Sequence, residues 1–565
     1  MLGGVIATYA TTPSSPGNKL VIDWWYESSG HYPQSEAQAQ LFKAEMERTG
    51  LIAVNLHGTD YSTYRSLTAQ GTMPVYSYGW TPDYMDPDSN TYGLLHSKGA
   101  SWMNNGYDSS VMDNLITQAG TTVDAAQRGV LYSQLQDLLV KDVPVVPVFQ
   151  GSASNYWIVT KSGMSGVAVD LTGQYENWHT ITPPTGSDTL TIGTTDTIST
   201  NLDPAEDFKG TVDQTLILEL GAPLLYGTTA ASNNFTPGLA TSWSVSPNGL
   251  IYTFNLRQGV MFADGSEFTS DAVKYSFERS MALATPSGGA VTYGFKDIFA
   301  NITTPSKYQV VFTLNHVVPW FLQFMPLAFS LPLNPKLAPM ESLVNYAEGN
   351  PRASNPLDLG PFVLSEWVRT GGRDREIKLD ANPNYFNALG GYPKAKHIVL
   401  KFYSDSTGLG LALKNGEIDM AFRALSALDL IGFESNPAFT VWKTNSLFIQ
   451  FINFNEKIKP FDNPMVRRAI AAAINRTEVC QVALMGLCEP AYSIIPAGMP
   501  YHEDAFKVLG DANLTFTVNT LQQLGYTAAS SQPPITQTEI AGGILGVIIV
   551  AAGVVLMLRR PKPKE

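Results

Sequence analysis

The sequence predicts an α/β protein of more than one domain. A chain of 565 residues is too long for a single compact core. Near its start, a strand at Leu20 to Trp25, a helix at Ser35 to Thr49 and a strand at Leu51 to Leu56 follow one another, which is the rhythm of an α/β layer. Further along, residues 237–279 predict a β-hairpin and a helix, so both kinds of element continue through the chain.

The stretch 237–279 has the clearest local pattern. Two segments in which apolar residues alternate with polar ones, 243–245 and 252–256, flank a Pro/Gly turn at 246–249. This pattern predicts a β-hairpin. Thr269 then stands at the N-cap position of a helix with an apolar stripe.

Five more elements complete the expected framework. Tyr61 to Ala69 predicts a short helix, and Asp113 to Leu139 predicts two helices, the second with a leucine-rich face. Val143 to Phe149 predicts a strand whose prolines favour an edge or a crossover position. Pro464 to Val479 predicts one continuous helix.

Three motifs at fixed spacing carry a family resemblance. They are PGLATSW from Pro237, NGLIYTFNLR from Asn248 and VMFADGSEFTSDAVKYS from Val260. The pattern resembles the signature of the family 5 extracellular solute-binding proteins, the peptide, oligopeptide and nickel receptors of ABC importers. Asn248 and Ala272 stand where that family has Asp. The resemblance implies a bilobal, periplasmic-binding-protein-like α/β fold of type II, in the three-lobe variety.

The order of the family's motifs in this chain is unusual. Residues 124–149 and Trp178 resemble the family's C-terminal pattern, whereas the chain from Thr189 onward resembles its N-terminal part. We therefore expect a permuted receptor in which a loose segment 1–18 and a C-terminal-type segment 19–182 come first. A linker at 183–188 and an N-terminal-type segment 189–526, with a small second lobe at 223–344, follow. The alternative is a piece of a longer tandem protein.

The C-terminal sequence predicts a membrane anchor. Residues 540–558 carry no charge and are long enough to cross a hydrocarbon core of ~30 Å. The basic tail 559–565 follows, which favours a cytoplasmic tail and an extracellular binding domain, and 527–539 has the composition of a stalk. Such a tether suits an organism without an outer membrane, for example an archaeon. Residues 1–10 make a poor signal peptide.

The expected ligand site follows an aromatic strand. Residues 75–92 resemble the family's W-x-x-DY-x-DP motif, which implies that Asp83 pairs with the α-amino group of a ligand. A carboxylate in a dry cleft makes a charge-assisted hydrogen bond to an ammonium group. The alternative is that Asp83 only caps a turn. The expected walls of the site are aromatic or polar side chains: Trp80, Tyr78, Tyr84, Trp320, Phe451 and Asn453.

Other function classes find less support in the sequence. The net charge of −13 argues against nucleic acid, and the scattered histidines show no metal-binding spacing. Asp83, Asp86 and Asp88 imitate a calcium loop or a glycosidase acid pair, but no other residues support either. Cys480 and Cys488 are read either as a disulfide of an exported chain or as two buried thiols.

The sequence thus predicts an ABC importer's extracellular receptor. It would capture peptides or similar small polar solutes by closing its lobes, deliver them to permease subunits and perform no chemistry, without cofactor or metal. Alternatives on the same scaffold are a tethered sensor, a peptide chaperone, a hydrolase using the acidic cluster, or a non-functional fragment.

Overall fold

The fold was analysed in a computed structural model of the chain. It describes residues 18–29, 32, 34–82, 84–151, 157–168, 177–198, 201–206, 211–227, 235–285, 288–346, 351–387, 390–423, 425–443 and 446–528. Its strands are β1 Leu20–Glu27, β2 Ile52–Thr59, β3 Val75–Trp80, β4 Val145–Gln150, β5 Ile158–Lys161, β6 Thr189–Thr194, β7 Leu225–Gly227, β8 Phe235–Pro237, β9 Ala240–Val245, β10 Ile251–Leu256, β11 Phe299–Ser306, β12 Gln309–Leu314, β13 Phe362–Thr370, β14 Arg373–Ala381, β15 His397–Phe402, β16 Met420–Ala421, β17 Phe439–Trp442, β18 Ile449–Phe454 and β19 Glu489–Pro490.

The helices pack on the faces of these sheets. They are α1 Ser35–Glu47, α2 Tyr61–Gln70, α3 Asp88–Leu95, α4 Ser110–Thr121, α5 Ala125–Asp142, α6 Thr211–Leu220, α7 Ser270–Leu283, α8 Gly289–Thr292, α9 Phe295–Ile298, α10 Ser406–Lys414, α11 Ala427–Glu434, α12 Pro464–Ala473, α13 Arg476–Glu478 and α14 Leu514–Gln523. A π-helical turn, Val479–Ala483, and several 3₁₀ turns complete the set.

Three sheets define three lobes. Lobe A is built on a six-stranded sheet with the order β19-β4-β18-β3-β1-β2, and lobe B on a seven-stranded sheet with the order β13-β14-β15-β6-β16-β5-β17. The small lobe has a four-stranded sheet, β11-β12-β10-β9. The mixed α/β fold class predicted from the sequence is therefore confirmed.

Lobe A is assembled from two distant parts of the sequence. Its core takes residues from 20–149 and from 447–526, and β18 lies between β3 and β4 in the sheet. At the ends of this lobe, the Thr527 N–H donates to the carbonyl of Asn18 at 3.4 Å. The two parts thus complete one sheet, and their outer ends lie side by side.

The prolines of β4 favoured an edge or a crossover position. β4 lies between β18 and the two-residue strand β19, which pairs only with Phe149 and Gln150, and it is the last strand of lobe A before the chain crosses to β5 of lobe B. It is therefore a crossover strand, one of the two expected positions. The ladder with β18 shifts register next to Pro147, between Gln450 and Phe451. A bulge accommodates a proline inside a sheet because its missing N–H is then not needed by the ladder.

The helix expected over residues 464–479 is interrupted. α12 ends at Ala473, and Ile474 has extended backbone angles, φ −70° and ψ 129°. The Asn475 side chain then accepts a hydrogen bond from the Glu478 N–H and caps the short helix α13. A capping asparagine favours a new helix start over continuation, which the apolar periodicity alone did not reveal.

Cys480 and Cys488 form a disulfide, with their Cα atoms 5.3 Å apart. The bond closes the π-helical turn onto the segment before β19. Disulfides persist in oxidising compartments, so this bond agrees with an exported lobe A.

None of the helices in the described ranges is both long and apolar enough to cross a membrane. The predicted span 540–558, the tail 559–565 and stalk residues 529–539 lie outside the described residues.

Candidate ligand cleft

Lobes A and B are joined by two chain connections, 151–157 and 443–448. On the lobe A side, Gln150 of β4 pairs with Ile449 of β18. On the lobe B side, Ile158 of β5 pairs with Trp442 of β17. The strands at each end of these two connections, the crossovers, are therefore antiparallel neighbours in their sheets. This arrangement suits a hinge.

The carboxyl ends of the parallel strands of lobe A face these crossovers. β1, β2 and β3 run parallel, and Trp80, the last residue of β3, pairs with Ile449, the first residue of β18. Residues that follow these three strands therefore line the lobe A edge nearest the hinge. Open α/β sheets bind ligands at such an edge.

Lobe B presents the corresponding edge. β6 and β16 run parallel, and Ala421 of β16 pairs with Val159, one residue from the start of β5. Asp196 and Arg423, which follow β6 and β16, therefore lie on the side of the crossovers. The two strand-end edges bound a cleft across the hinge, which is the candidate ligand site.

Two predicted wall residues lie at the lobe A edge. Trp80 is half-buried and stacks on Trp102 with ring centroids 5.8 Å apart. Tyr78 lies two residues deeper and is buried, with its ring against the edges of Tyr32 and Trp102. Asp83, the expected amine anchor, lies outside the described residues.

Phe451 and Asn453 belong to the core of lobe A. β18 is a central strand with all six residues buried, and Phe451 and Asn453 both have 0% exposure. The amide of Asn105 donates to the Asn453 side-chain oxygen at 2.8 Å. The sequence analysis expected both side chains on the wall because β18 enters the lobe there, but Phe451 and Asn453 lie two and four residues further into the sheet than Ile449, which pairs with Trp80.

Tyr84 and Trp320 contact each other, although 236 positions separate them in the printed sequence. Their rings stack at 5.8 Å with an interplanar angle of 9°, and both are buried. Tyr84 packs into the core of the small lobe, where its ring also meets Tyr293 and Phe324. The pair thus forms a junction between lobes beside the cleft edge.

Asp86 and Asp88 form hydrogen bonds with other side chains of the protein. Arg128 donates two hydrogen bonds to Asp86, at 2.6 and 2.8 Å, and the Tyr84 hydroxyl donates to Asp88 at 2.9 Å. Within the described ranges, no group of three His, Cys, Asp or Glu side chains could hold a metal ion. Oxygens of Asp86 and Asp88 accept hydrogen bonds from protein partners, and Asp83, the third acid of the calcium-loop alternative, lies outside the described residues.

Burial shapes the ionisation of this cluster. Burial is the largest cause that raises the pKa of Asp88 to about 7, and the nearby charge of Asp86 acts in the same direction. Burial alone would lower the pKa of Arg128, but its hydrogen bonds to Asp86 and the charge of that carboxylate outweigh burial and raise it. The result is a firm ion pair beside a carboxyl group that titrates near neutrality.

Several cleft-edge residues were missed by the sequence reasoning. Tyr32 follows β1, while Tyr61 and Arg65 follow β2, and the Arg65 guanidinium lies 5.9 Å from the Tyr61 ring centroid. On lobe B, Arg423 is buried, has the left-handed φ of 64° and lies 5.3 Å from the Phe422 ring centroid. The signal that could have found them is their position directly after a parallel strand.

The sequence comparisons agree with this architecture. The family model described as bacterial extracellular solute-binding proteins, family 5 middle, matches residues 12–102 and 234–542. The chain belongs to the family 5 extracellular solute-binding proteins.

Curated relatives of this family 5 protein have peptide-related names. The di/tripeptide-binding protein 2 of Pseudomonas aeruginosa is 29% identical over 50% of this chain and 55% of its own length. A glutathione-binding protein of Escherichia coli is 28% identical over 46% of this chain and 48% of its own. The chain thus spans about half the length of the curated relatives it matches.

Among solved structures, a periplasmic binding protein of Helicobacter pylori in complex with a peptide is similar. It is 26% identical, with 60% of this chain and 66% of that chain covered and a TM-score of 0.47.

Proposed function

We propose that this family 5 protein is the extracellular receptor of an ABC importer. It captures peptides or similar small polar solutes by closing lobes A and B and delivers them to the permease, and performs no chemistry itself. The observation that carries the proposal is that the strand-end edges of both lobes lie on the side of the two connections between them. Family membership and the peptide-related names of the relatives support the ligand class.

The cleft edges offer the groups that a peptide needs. Lobe A contributes aromatic surface through Trp80 and Tyr61, with Asp83 as the proposed anchor of an ammonium group. Lobe B contributes Arg423, so the cleft carries charges of both signs, which suits a zwitterion.

We expect Asp83→Ala to weaken the binding of amine-bearing ligands by about 2–5 kcal/mol, because the ammonium group loses its carboxylate partner. Isothermal titration of the wild type and the variant with di- and tripeptides measures this loss. Asp108→Ala, at an exposed carboxylate near the start of α4, is the matched control. An unchanged affinity of Asp83→Ala would remove the amine-anchor role.

Thermal unfolding of the full chain in mild detergent tests the receptor function. The chain is heated alone and with separate pools of di- and tripeptides, sugars and nickel chelates. A ligand at ~100 times its Kd adds about 2.7 kcal/mol of stability. An upward shift with the peptide pool is the expected result; a shift with sugars or nickel chelates alone would reject peptides, and no shift with any pool would reject the receptor.

The membrane tether belongs to the same proposal. The uncharged stretch 540–558 and the basic tail 559–565 would anchor the receptor beside its permease, with the three lobes outside the cell. The disulfide Cys480–Cys488 supports the extracellular side for lobe A.

We also propose that the chain is a circular permutant of the usual family order. Support comes from the two parts of lobe A, whose ends meet at the Thr527–Asn18 hydrogen bond. Termini that lie close together at a domain surface permit such a rearrangement.

A chain rearranged to the family order should therefore fold to the same receptor. In this variant, residues 183–526 come first and are joined through a short Gly/Ser linker to residues 18–182. We expect one cooperative unfolding transition and the same peptide-induced shift as in the native order. Loss of the cooperative transition would reject the permutation.

A further inference from the structure

The small lobe contacts the chain segment that follows β3. Tyr84 is buried in the small-lobe core, stacked on Trp320, with the edge of Phe324 on its other side. Gly120 of α4 permits this approach, because a Cβ at that position would lie 3.2 Å from the Trp320 ring. A ring from the cleft edge of lobe A thus completes the core of another lobe.

The next two residues of the segment are also held. The Met85 N–H donates a hydrogen bond to the side-chain oxygen of Gln323 at 2.6 Å. This is a second contact of the segment with the small lobe, besides the stacking of Tyr84 on Trp320. Asp86 is held by the bidentate pair with Arg128, whose guanidinium lies 5.3 Å from the Trp320 ring centroid. Three consecutive residues are therefore fixed by contacts that converge on Trp320 and Gln323.

On its other side the small lobe is fixed to lobe B. Arg279 of α7 donates two hydrogen bonds, at 2.7 and 2.9 Å, to Asp203, which lies between β6 and α6. Both side chains have 0% exposure. The small lobe is thus attached to lobe B by a buried ion pair and to lobe A by the Tyr84 junction, so it bridges the two lobes that bound the cleft.

We propose that Trp320, Gln323 and Arg128 are positioning residues for ligand binding: through Tyr84, Met85 and Asp86 they hold the cleft edge of lobe A and tie the small lobe to ligand capture. This inference rests on the proposed receptor function. None of the three needs to touch the ligand, because each acts through the backbone or side chain of the segment after β3.

The junction has a direct consequence for lobe closure. Because the small lobe is attached to both, any rotation of lobe A relative to lobe B about the crossovers must change either the Tyr84 junction or the contacts of the small lobe with lobe B. The junction holds the cleft edge of lobe A in one arrangement, so its loss lowers the fraction of binding-competent protein, and with it the apparent affinity.

Substitutions at Trp320 test the inference in the full chain. Trp320→Ala should raise the Kd for the di- and tripeptide pool on the order of tenfold. Trp320→Phe keeps an aromatic ring against Tyr84 and should restore most of the affinity. Trp243→Ala is the matched control, because Trp243 packs at the margin of the same small-lobe core and pairs with Phe254 in the sheet, away from the junction.

The outcomes separate the two proposals. If the wild type binds peptides and Trp320→Ala keeps its Kd, the positioning role is wrong while the receptor function stands. If Trp243→Ala weakens binding as much as Trp320→Ala does, general destabilisation explains the loss and the positioning role is again rejected.

Hydrogen exchange gives a readout without ligand. Gln323→Ala removes the acceptor of the Met85 N–H, so that amide should exchange faster in the variant, while the amides of β9 and β10 keep their wild-type rates. Unchanged exchange at Met85 would show that the small lobe does not hold the segment, and would overturn the inference even if no peptide bound the wild type.

Discussion

Arg279→Leu should destabilise the protein by about 3–5 kcal/mol, because it leaves the buried carboxylate of Asp203 without its cation. Beyond the bidentate pair, Arg279 donates to the carbonyls of Pro339 and Ser342, at 2.6 and 2.8 Å. Asp203 in turn accepts the Val344 N–H at 2.8 Å. One substitution therefore disrupts the anchor between the small lobe and lobe B at several points.

Chemical denaturation of the full chain measures this loss. The control is Lys378→Ala, which removes exposed ion pairs to Glu366 and Glu376 on lobe B and should cost much less, because solvent screens such pairs. A loss for Arg279→Leu no larger than that of the control would contradict the anchoring role of the buried pair.

Asp88→Asn should remove part of the pH dependence of stability. The pKa of Asp88 is raised from 3.8 to about 7 in the folded protein, chiefly by burial. A raised carboxyl pKa means that the folded state binds the proton more tightly than the unfolded state. The contribution of the protonated Asp88 carboxyl to the free energy of unfolding is therefore complete below about pH 4 and is lost as the pH rises through 7.

The size of the effect follows from the shift. A difference of about three pKa units corresponds to about 4 kcal/mol, so Asp88→Asn should be more stable than the wild type at pH 8 by up to that amount. At pH 4 the two should be nearly equal, because an uncharged carboxyl and an amide both accept the Tyr84 hydroxyl.

Melting temperatures of both proteins between pH 4 and 9 test this prediction. The facing groups that also carry charge are Asp86 and Arg128, and both are retained in the variant. Asp271→Asn, at an exposed position in the first turn of α7, is the control and should keep the wild-type profile. A parallel profile for Asp88→Asn and the wild type would contradict the assignment.

Local elements could be read from the sequence because local chemistry determines them. The hairpin of β9 and β10, the N-terminal position of Thr269 and the apolar face of α5 follow from alternation, turn residues and helical spacing. Asn475 is a capping residue that starts a new helix. A prediction from apolar periodicity alone therefore places the end of the preceding helix too late in the chain.

The contacts of the Tyr84 junction could not be predicted from local sequence patterns. Arg128 stands 42 residues from Asp86, and Gln323 stands 238 residues from Met85, so no spacing rule connects them. The sequence placed Tyr84 and Trp320 in one ligand site, and the structure brings them together as a packed pair. Asn453 was expected on the wall because a polar residue in a strand usually lies on an exposed face, whereas β18 is buried on both faces and Asn453 is hydrogen-bonded inside the lobe.

The measurement that tests the receptor account most directly is a distance across the cleft. Ser62 of α2 and Thr407 of α10 are exposed and follow the carboxyl ends of β2 and β15, one on each lobe. Both cysteines of the sequence are in the disulfide, so spin labels would attach only to Ser62→Cys and Thr407→Cys. We predict that the di- and tripeptide pool shortens the distance between the labels by more than about 2 Å. An unchanged distance with bound peptide would contradict capture by lobe closure.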